Sequence, residues 1–209
     1  MQPVTVADPD TGPATASVRR PGRPRSEAAE QAIIEATLEV FAEQGFDGVC
    51  VELVAARAGV GKATIYRRWP NKEELLLAAL GSLKSPYPEP EGVSVRDDLL
   101  AIVEVMCADK ADPRKARRYA LLLGEGEKYP RLMARYKAEV VEPRREMVRS
   151  VIRRGIETGE LRPDTDVEIA MLTLTGAIMA QEKSAAGTLD GEFATRLVDG
   201  LLLGCSVRS

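Results

Sequence analysis

The segment GVGKATIYRRWPNK, which runs from Gly59 to Lys72, holds the residue types best suited to contact a phosphate group. Two glycines lie just before a lysine, and a tyrosine, two arginines and a second lysine follow. Such a segment could cradle the phosphates of a bound nucleotide, or it could contact the phosphates of nucleic acid. The spacing of its residues decides between these two uses.

The nucleotide-binding interpretation requires the spacing G-x-x-x-x-G-K-[ST]. Ala56 stands where the first glycine would be, and Ala63 follows Lys62 in place of the hydroxyl residue that binds magnesium. The residues before the segment, VELVAARA, have the pattern of a helix, whereas a P-loop follows a strand. We therefore expect the segment to contact nucleic acid.

The helices expected around the segment place it in a helix-turn-helix. An amphipathic helix is predicted over residues 26–45, a second over Val51–Ala58, and a third that begins at Lys62 or one residue earlier. Gly59 suits the left-handed conformation that ends the second helix, and Pro70 ends the third. In a helix-turn-helix, the second helix of the motif meets DNA with its first turn.

The first turn of the third predicted helix contains Lys62, Ala63 and Thr64. Ala63 is small enough to allow a close approach to DNA, and Thr64 can reach a phosphate or a base edge. Ile65 and Trp69, four residues apart, are expected to face back into the core. The opposite face is then free for DNA.

Residues 1–25 form a basic arm that contains five of the thirteen prolines and almost no large apolar side chain, so we expect it to be disordered. Its Gly-Arg-Pro core resembles an AT-hook, and arginine-bearing arms can lie in the minor groove beside a helix-turn-helix. A solvated run of charge is the alternative, and we favour contact with DNA. The arginines concerned are Arg19, Arg20, Arg23 and Arg25.

The composition excludes several classes of site. The chain of 209 residues has no histidine, which excludes Ser-His-Asp triads, Cys-His dyads and imidazole metal ligands. Its three cysteines are far apart, so neither a zinc site nor a disulfide is expected. The net charge is −3, but residues 18–72 hold nine Lys/Arg against seven Asp/Glu, so the basic excess is local. We expect no cofactor and, without a membrane-spanning apolar run, a cytoplasmic protein.

The rest of the chain predicts helices only, after a proline-rich loop over residues 84–92. Pro143 is expected to kink or split a long helix over residues 131–158. The predicted fold is all-α with about nine helices, in which an N-terminal three-helix helix-turn-helix domain precedes a larger helical domain. The expected divisions of the chain are residues 1–25, 26–78 and 79–209.

The last two predicted helices are too apolar to be covered by one chain. Residues 167–180 are apolar on nearly all sides, and the final helix carries a wide apolar face. We predict a homodimer in which both helices pack against their twofold mates, with a well-covered monomer as the alternative. The predicted interface residues are Ala170, Thr173, Ala177, Ala180, Phe193, Leu197 and Leu201.

A characteristic set of residues lies between positions 22 and 76, namely Ile33, Ala36, Phe41, Gly45, Phe46, Val54, Ala55, Ala58, Gly59, Val60, Lys62, Ala63, Thr64, Ile65, Tyr66, Trp69, Pro70, Asn71, Lys72, Glu73, Leu75 and Leu76. By these residues, positions 22–76 resemble the DNA-binding domain of the tetracycline-repressor (TetR) family. Two positions depart from the family pattern. Cys50 stands where serine or threonine is usual, so the second helix loses its side-chain cap, and Gly61 stands where serine is common, so one phosphate contact is lost.

The resemblance implies contacts with double-stranded operator DNA. Tyr66 and Lys72 would bind phosphates, which position the protein, and Arg67, with Lys62 and Thr64, would read bases. Arg68 has two equal interpretations, as a DNA contact or as a solvated or salt-bridged residue. The residues predicted to touch DNA are Arg19, Arg20, Arg23, Arg25, Lys62, Ala63, Thr64, Tyr66, Arg67, Arg68 and Lys72.

The resemblance also implies a pocket for a small, mostly apolar effector in the larger domain. That domain is rich in methionine, which suits adaptable apolar pockets, although each methionine could equally be an ordinary core residue. The candidate pocket residues are Met106, Cys107, Tyr119, Met133, Tyr136, Met147, Met171 and Thr175.

Three classes of function remain open at this point. The favoured one is a dimeric repressor that a small molecule releases from a palindromic operator. A DNA-binding regulator without a small-molecule effector, controlled by a protein partner, is the second. The third is a helical enzyme or adaptor with a decayed helix-turn-helix, and the lack of histidine and of paired carboxylates argues against an enzyme.

Overall fold

The computed structural model describes residues 23–184 and 188–205, with side chains from Glu27 onward. Every secondary-structure element in these ranges is helical, which confirms the expected all-α fold. One π-helical turn, Lys137–Val141, joins α7 to α8 without a break, so the described residues form nine separate helices. The α-helices are α1 (Arg23–Gly48), α2 (Val51–Ala58), α3 (Lys62–Tyr66), α4 (Lys72–Gly81), α5 (Val95–Ala111), α6 (Pro113–Gly126), α7 (Pro130–Tyr136), α8 (Glu142–Thr158), α9 (Val167–Glu182) and α10 (Gly191–Cys205).

The first helix begins earlier than the sequence predicts. Arg23 and Arg25 lie in its first turn, not in an extended arm, so this part of the expectation is wrong. Pro24 is compatible with a first helical turn, because the backbone N–H that proline lacks has no partner there. Arg19 and Arg20 lie outside the described residues.

Helices α1 to α4 share one apolar core. Val40, Phe41 and Val54 are almost completely buried in it, together with Ile65 of α3. Ile65 has no exposed surface and Trp69 is buried too, which confirms that this side of α3 faces the core.

The turns of this unit follow the residues that the sequence places there. Gly59 adopts the left-handed conformation after α2, with φ 66° and ψ 32°. The side chain of Asn71 accepts a hydrogen bond of 2.9 Å from the backbone of Glu74 at the start of α4. Cys50 and Gly61 give their helices no side-chain cap, so α2 and α3 depend on the burial of their apolar faces.

Helices α5, α8, α9 and α10 form a second core, in which Leu99, Ile152 and Leu174 are almost completely buried. The long helix stays continuous before Pro143, where a kink or a split was expected. Proline has no N–H, so the carbonyl four residues earlier lacks its usual partner, and the helix widens into the π-helical turn before α8.

The two cores are joined through α6 and α7. Leu122, Leu132 and Tyr136 belong by sequence to the larger unit but pack into the core of α1 to α4. The unit of α1 to α4 is therefore packed directly against α6 and α7. We propose that the boundary between the helix-turn-helix domain and the larger helical domain lies near residue 78.

Candidate nucleic-acid interface and effector cavity

The exposed side of α3, with the residue that follows it, carries four of the eleven residues predicted to touch DNA. Lys62, Ala63 and Arg67 are exposed, and Tyr66 is 48% exposed. An aromatic side chain left this open has little packing to lose when its hydroxyl binds a phosphate. The burial of Ile65 on the opposite side fixes this orientation.

Lys62 forms an ion pair with Glu52 of α2, with 3.1 Å between the ammonium and the carboxylate. The hydrogen bond from Lys62 lowers the pKa of the Glu52 carboxyl below its usual value. More than half of each side chain is exposed, and such surface pairs are weak. Lys62 can therefore exchange this partner for a phosphate or a base edge at low cost.

Arg68 pairs with Glu30 of α1 at 2.9 Å. Its side chain is 21% exposed, so it lies largely within the three-helix packing. Of the two interpretations of Arg68, the structure favours the salt bridge, because a contact with DNA would first have to break this link between α1 and the end of α3.

Lys72 lies at the first residue of α4, and its ammonium donates a hydrogen bond of 3.2 Å to the carbonyl of Asp47. This bond holds the charge beside the N-terminus of a ten-residue helix. Backbone N–H groups at such a position attract anions. The arrangement suits a phosphate contact that positions the protein.

A cavity of about 110 Å³ lies among α5, α6, α8, α9 and the loop that follows α4. Three of the eight predicted pocket residues line it, namely Met106, Tyr119 and Thr175. The other five do not line this cavity but pack into or against the two cores, and their place in an effector pocket stays a prediction. Cys107, Met171 and Met147 belong to the second core, and Met133 and Tyr136 belong to the first.

Several charged side chains line the cavity, although the sequence predicted a mostly apolar one. The ammonium groups of Lys84 and Lys110 lie 4.3 Å and 4.1 Å from the ring centroid of Tyr119. The guanidinium of Arg144 lies 4.2 Å from the ring centroid of Tyr87. Sequence reasoning missed Lys84 and Arg144, because no local pattern says which surface a lysine or arginine will meet.

The predicted dimer face is partly exposed in the single chain. On α9, Ile169 is 60% exposed, Leu172 is 46% exposed and Met179 is 42% exposed, and on α10 Leu203 is 82% exposed. Ala170 is buried in its own protomer, whereas its neighbour Ile169 faces outward. Of the other predicted residues, Thr173 and Ala180 are exposed, and Ala177, Phe193, Leu197 and Leu201 are half-buried.

Residues 23–184 and 188–205 contain neither a membrane-spanning helix nor a metal-binding cluster. None of the helices there combines the length and the apolar character needed to cross a membrane. In the same ranges, no cluster of three Cys, Asp or Glu side chains could hold a metal ion.

Two family models match this chain. The model for bacterial regulatory proteins of the tetR family matches residues 33–79. The model for the tetracyclin repressor-like C-terminal domain matches residues 89–201, which is more than half of the chain. The N-terminal and C-terminal parts of the chain therefore each match a model of the same family.

Relatives cover nearly the whole chain. The HTH-type transcriptional regulator YdeS of Bacillus subtilis is 30% identical over 190 residues, which cover 90% of this chain and 95% of that protein. The DNA-binding transcriptional repressor TetR of Mycobacteroides abscessus is 29% identical over 181 residues, which cover 86% and 94%. The crystal structure of FadR from Bacillus subtilis in complex with stearoyl-CoA has the same fold, with a TM-score of 0.61 at 20% identity over 83% of this chain and 98% of that one.

Proposed function

The chain belongs to the tetracycline-repressor family of bacterial transcriptional regulators, and from that premise we propose that it is a dimeric repressor which a small molecule releases from a palindromic operator. Members of this family are DNA-binding regulators and not enzymes. The observation that carries the proposal is the combination of an exposed, basic α3 with a cavity at the far end of α4.

In the proposed complex, α3 enters the major groove. Tyr66 and Lys72 bind phosphates on either side of it, and Arg67 reads a base edge, with Lys62 and Thr64 as further contacts. The arginines before and within the first turn of α1 then approach the neighbouring minor groove. They are Arg19, Arg20, Arg23 and Arg25.

The proposed dimer uses the outward side of α9 and the apolar side of α10. Exposed Ile169 and Leu172 are spaced like a helix-packing stripe, and Gly176 continues the line with no side chain to hold the partner helix away. A twofold dimer presents two copies of α3, so its operator is a palindrome with two half-sites.

Helix α4 connects the two proposed sites. Its first residue is Lys72 at the DNA side, and Lys84 of the cavity lies three residues beyond its last residue, Gly81. A ligand that binds better to one position of this helix than to another shifts the populations of the two positions. Such a shift changes the separation of the two α3 helices and lowers affinity for the operator.

The alternative is a regulator without a small-molecule effector, controlled by a protein partner. A fully packed core in the larger unit would favour it, and the cavity of about 110 Å³ favours an effector instead. As a regulator of bacterial genes, the protein is proposed to act in the cytoplasm.

The first experiment is a selection of bound sequences from a random DNA pool with the purified protein. We expect a palindromic sequence with two half-sites, bound by one dimer with an affinity that falls steeply with salt. Binding without sequence preference would contradict the repressor proposal. An operator that no small molecule releases would favour control by a protein partner.

A further inference from the structure

The balance of charge around the cavity identifies the chemistry of its ligand, and this step rests on the effector function proposed above. Four cationic side chains line the cavity, Lys84, Lys110, Arg144 and Arg145, but only one carboxylate does, that of Asp109. An excess of positive charge around a partly buried cavity is unfavourable without an anion to balance it.

The one carboxylate is already occupied. Asp109 is buried and accepts hydrogen bonds from the ammonium of Lys115 and from the hydroxyl and backbone N–H of Ser85. Burial alone would raise the pKa of Asp109, but the hydrogen bonds from Lys115 and Ser85 outweigh burial and hold the pKa below its usual value. Asp109 is therefore a charged part of the wall, committed to these two residues.

Two of the other cations are also engaged. Lys110 forms an ion pair of 2.7 Å with Glu182, and Arg145 lies 3.9 Å from Glu142. By contrast, no carboxylate of the described residues lies within ion-pair distance of the Lys84 ammonium or the Arg144 guanidinium. Lys84 meets the ring of Tyr119, and Arg144 meets the ring of Tyr87 and donates a hydrogen bond to the carbonyl of Ser85.

Arg144 also has one hydrogen-bond donor without a partner among the described residues. This donor is its buried Nε. A buried donor without a partner is unfavourable, because it has lost its hydrogen bond to water. An acceptor atom supplied by a ligand would remove this cost, and a carboxylate oxygen is the acceptor that best fits a guanidinium.

The remaining wall is apolar and aromatic. Met106, Tyr119 and Ile178 are among the residues that line this part. An engineered apolar cavity of about 150 Å³ holds benzene, so a space of about 110 Å³ suits a single ring or a short chain.

We propose that the effector is a compact organic carboxylate, with its charged group held between Lys84 and Arg144 and its apolar body packed against Met106, Tyr119 and Ile178. Lys84 lies three residues beyond the end of α4. An ion pair between the ligand carboxylate and Lys84 therefore connects the ligand to α4, which belongs to the core of the DNA-binding unit. An inorganic anion would meet the two cations but would leave the apolar wall without a partner.

Titration of Lys84 gives the site a pH dependence. Burial, with the nearby charge of Lys110, lowers the pKa of the Lys84 ammonium to about 8. The charged groups that act on it are Lys110, Asp109, Arg144 and Glu182. An ammonium that loses its proton as the pH rises from 7 to 9 no longer attracts a carboxylate, so the affinity for the ligand falls over that range.

The test is calorimetric titration of the full-length protein, without DNA, against benzoate, phenylacetate and hexanoate, each compared with its own amide. We expect the best carboxylate to bind about tenfold to a hundredfold more tightly than its amide, as the loss of a charge-assisted hydrogen bond predicts. Lys84→Met should remove this preference and the pH dependence together. Lys137→Met, which changes an exposed lysine outside the cavity, should retain both.

Several outcomes would overturn the inference. One is equal affinity for acid and amide. Another is no binding of any of the three acids at millimolar concentration. A third is inorganic phosphate that binds as tightly as the best acid. Lys84→Gln provides a second variant, and circular dichroism checks that both remain folded. Carboxylates that bind but leave the selected operator occupied would contradict the proposed effector function and leave the ligand class intact.

Discussion

The backbone N–H of Phe46 donates a hydrogen bond of 3.1 Å to the carboxylate of Glu125, 79 residues further along the chain. The bond joins the end of α1 to α6, and the ring of Tyr129 packs on Phe46 with 4.6 Å between the centroids. Gly45 makes this contact possible, because a Cβ at Gly45 would lie only 2.5 Å from a Glu125 carboxylate oxygen. The end of α1 is thereby fixed to the larger unit.

Gly45→Ala should destabilise the protein by roughly 1–3 kcal/mol. Gly45 has φ 68° and ψ −168°, a region of backbone conformation that is essentially restricted to glycine, and the added methyl group would push Glu125 away from Phe46. Thermal or urea unfolding measures the loss.

Gly124→Ala on α6 is the matched control. Gly124 is exposed and helical, and a Cβ there would meet no atom within 4 Å, so alanine should stabilise the helix by about 0.5–1 kcal/mol. Equal stability of the Gly45→Ala variant and the native protein would show that the turn at Gly45 tolerates a side chain.

Variants of α3 should separate positioning from sequence readout. Tyr66→Phe and Lys72→Ala should weaken binding to every DNA sequence, and Lys72→Ala should reduce the slope of affinity against salt by about one unit. Arg67→Ala should instead relax the preference at one base pair, by about 1–3 kcal/mol. Competition binding with mutated operators at several salt concentrations distinguishes the two effects, with Lys137→Ala as an exposed control. If all three variants bind like the native protein, the proposed DNA contacts are wrong.

Leu172→Glu should convert the proposed dimer into a monomer. Leu172 is 46% exposed in the single chain, and a carboxylate on each side of the twofold axis would bring like charges into an apolar contact. Affinity for a two-half-site operator should fall by about a hundredfold or more, because the second half-site no longer binds in an intramolecular step. Sedimentation velocity reports the mass.

Leu123→Glu controls for the charge itself, since Leu123 is 48% exposed on α6, a helix that is not part of the proposed dimer face. A dimer that survives Leu172→Glu would require a different interface.

Asp98 should contribute stability at neutral pH that is lost in acid. Burial alone would raise its pKa, but hydrogen bonds from Arg154 and from two backbone N–H groups outweigh burial and hold the pKa below its ordinary value of 3.8. A depressed pKa adds stability above the unfolded-state value, and this stability disappears as the pH falls below 3.8 toward the folded-state value. Asp98→Asn should therefore cost roughly 2–3 kcal/mol at pH 7, with a smaller difference near pH 3.

Urea unfolding of both proteins across this pH range measures the difference. The exposed neighbour Asp97→Asn should cost no more than about 1 kcal/mol at any pH. A constant difference between Asp98→Asn and the native protein would contradict the assigned role of the Asp98 charge.

Much of the fold follows from local signals in the sequence. Gly59 permits the left-handed turn after α2, Pro70 cannot continue α3, and Asn71 caps the start of α4. The helix-turn-helix is therefore visible before any packing is known. The helix predicted over residues 131–158 likewise agrees to within one residue with the continuous helix from Pro130 to Thr158. These signals act over one or two helical turns, so structure within that distance along the chain can be predicted from the sequence.

The cavity depended on contacts that no local signal encodes. Cys107 and Met106 are adjacent on α5, yet one is buried in the core and the other lines the cavity, because successive helical residues point about 100° apart. The same rotation places Ala170 inside and Ile169 outside. The sequence does not encode locally which neighbour each helix face meets. It could therefore supply the types of residue that line a pocket but not which of them face the cavity.

By itself, the sequence determined an all-helical protein with a DNA-binding motif at its N-terminal end, because turn residues and apolar periods act locally. Only the tertiary structure decided that Arg68 is bound to Glu30, that Glu125 holds the end of α1, and that Lys84 and Arg144 face one cavity without a carboxylate partner. These relationships join residues far apart in the chain, and their distances exist only after the helices have packed.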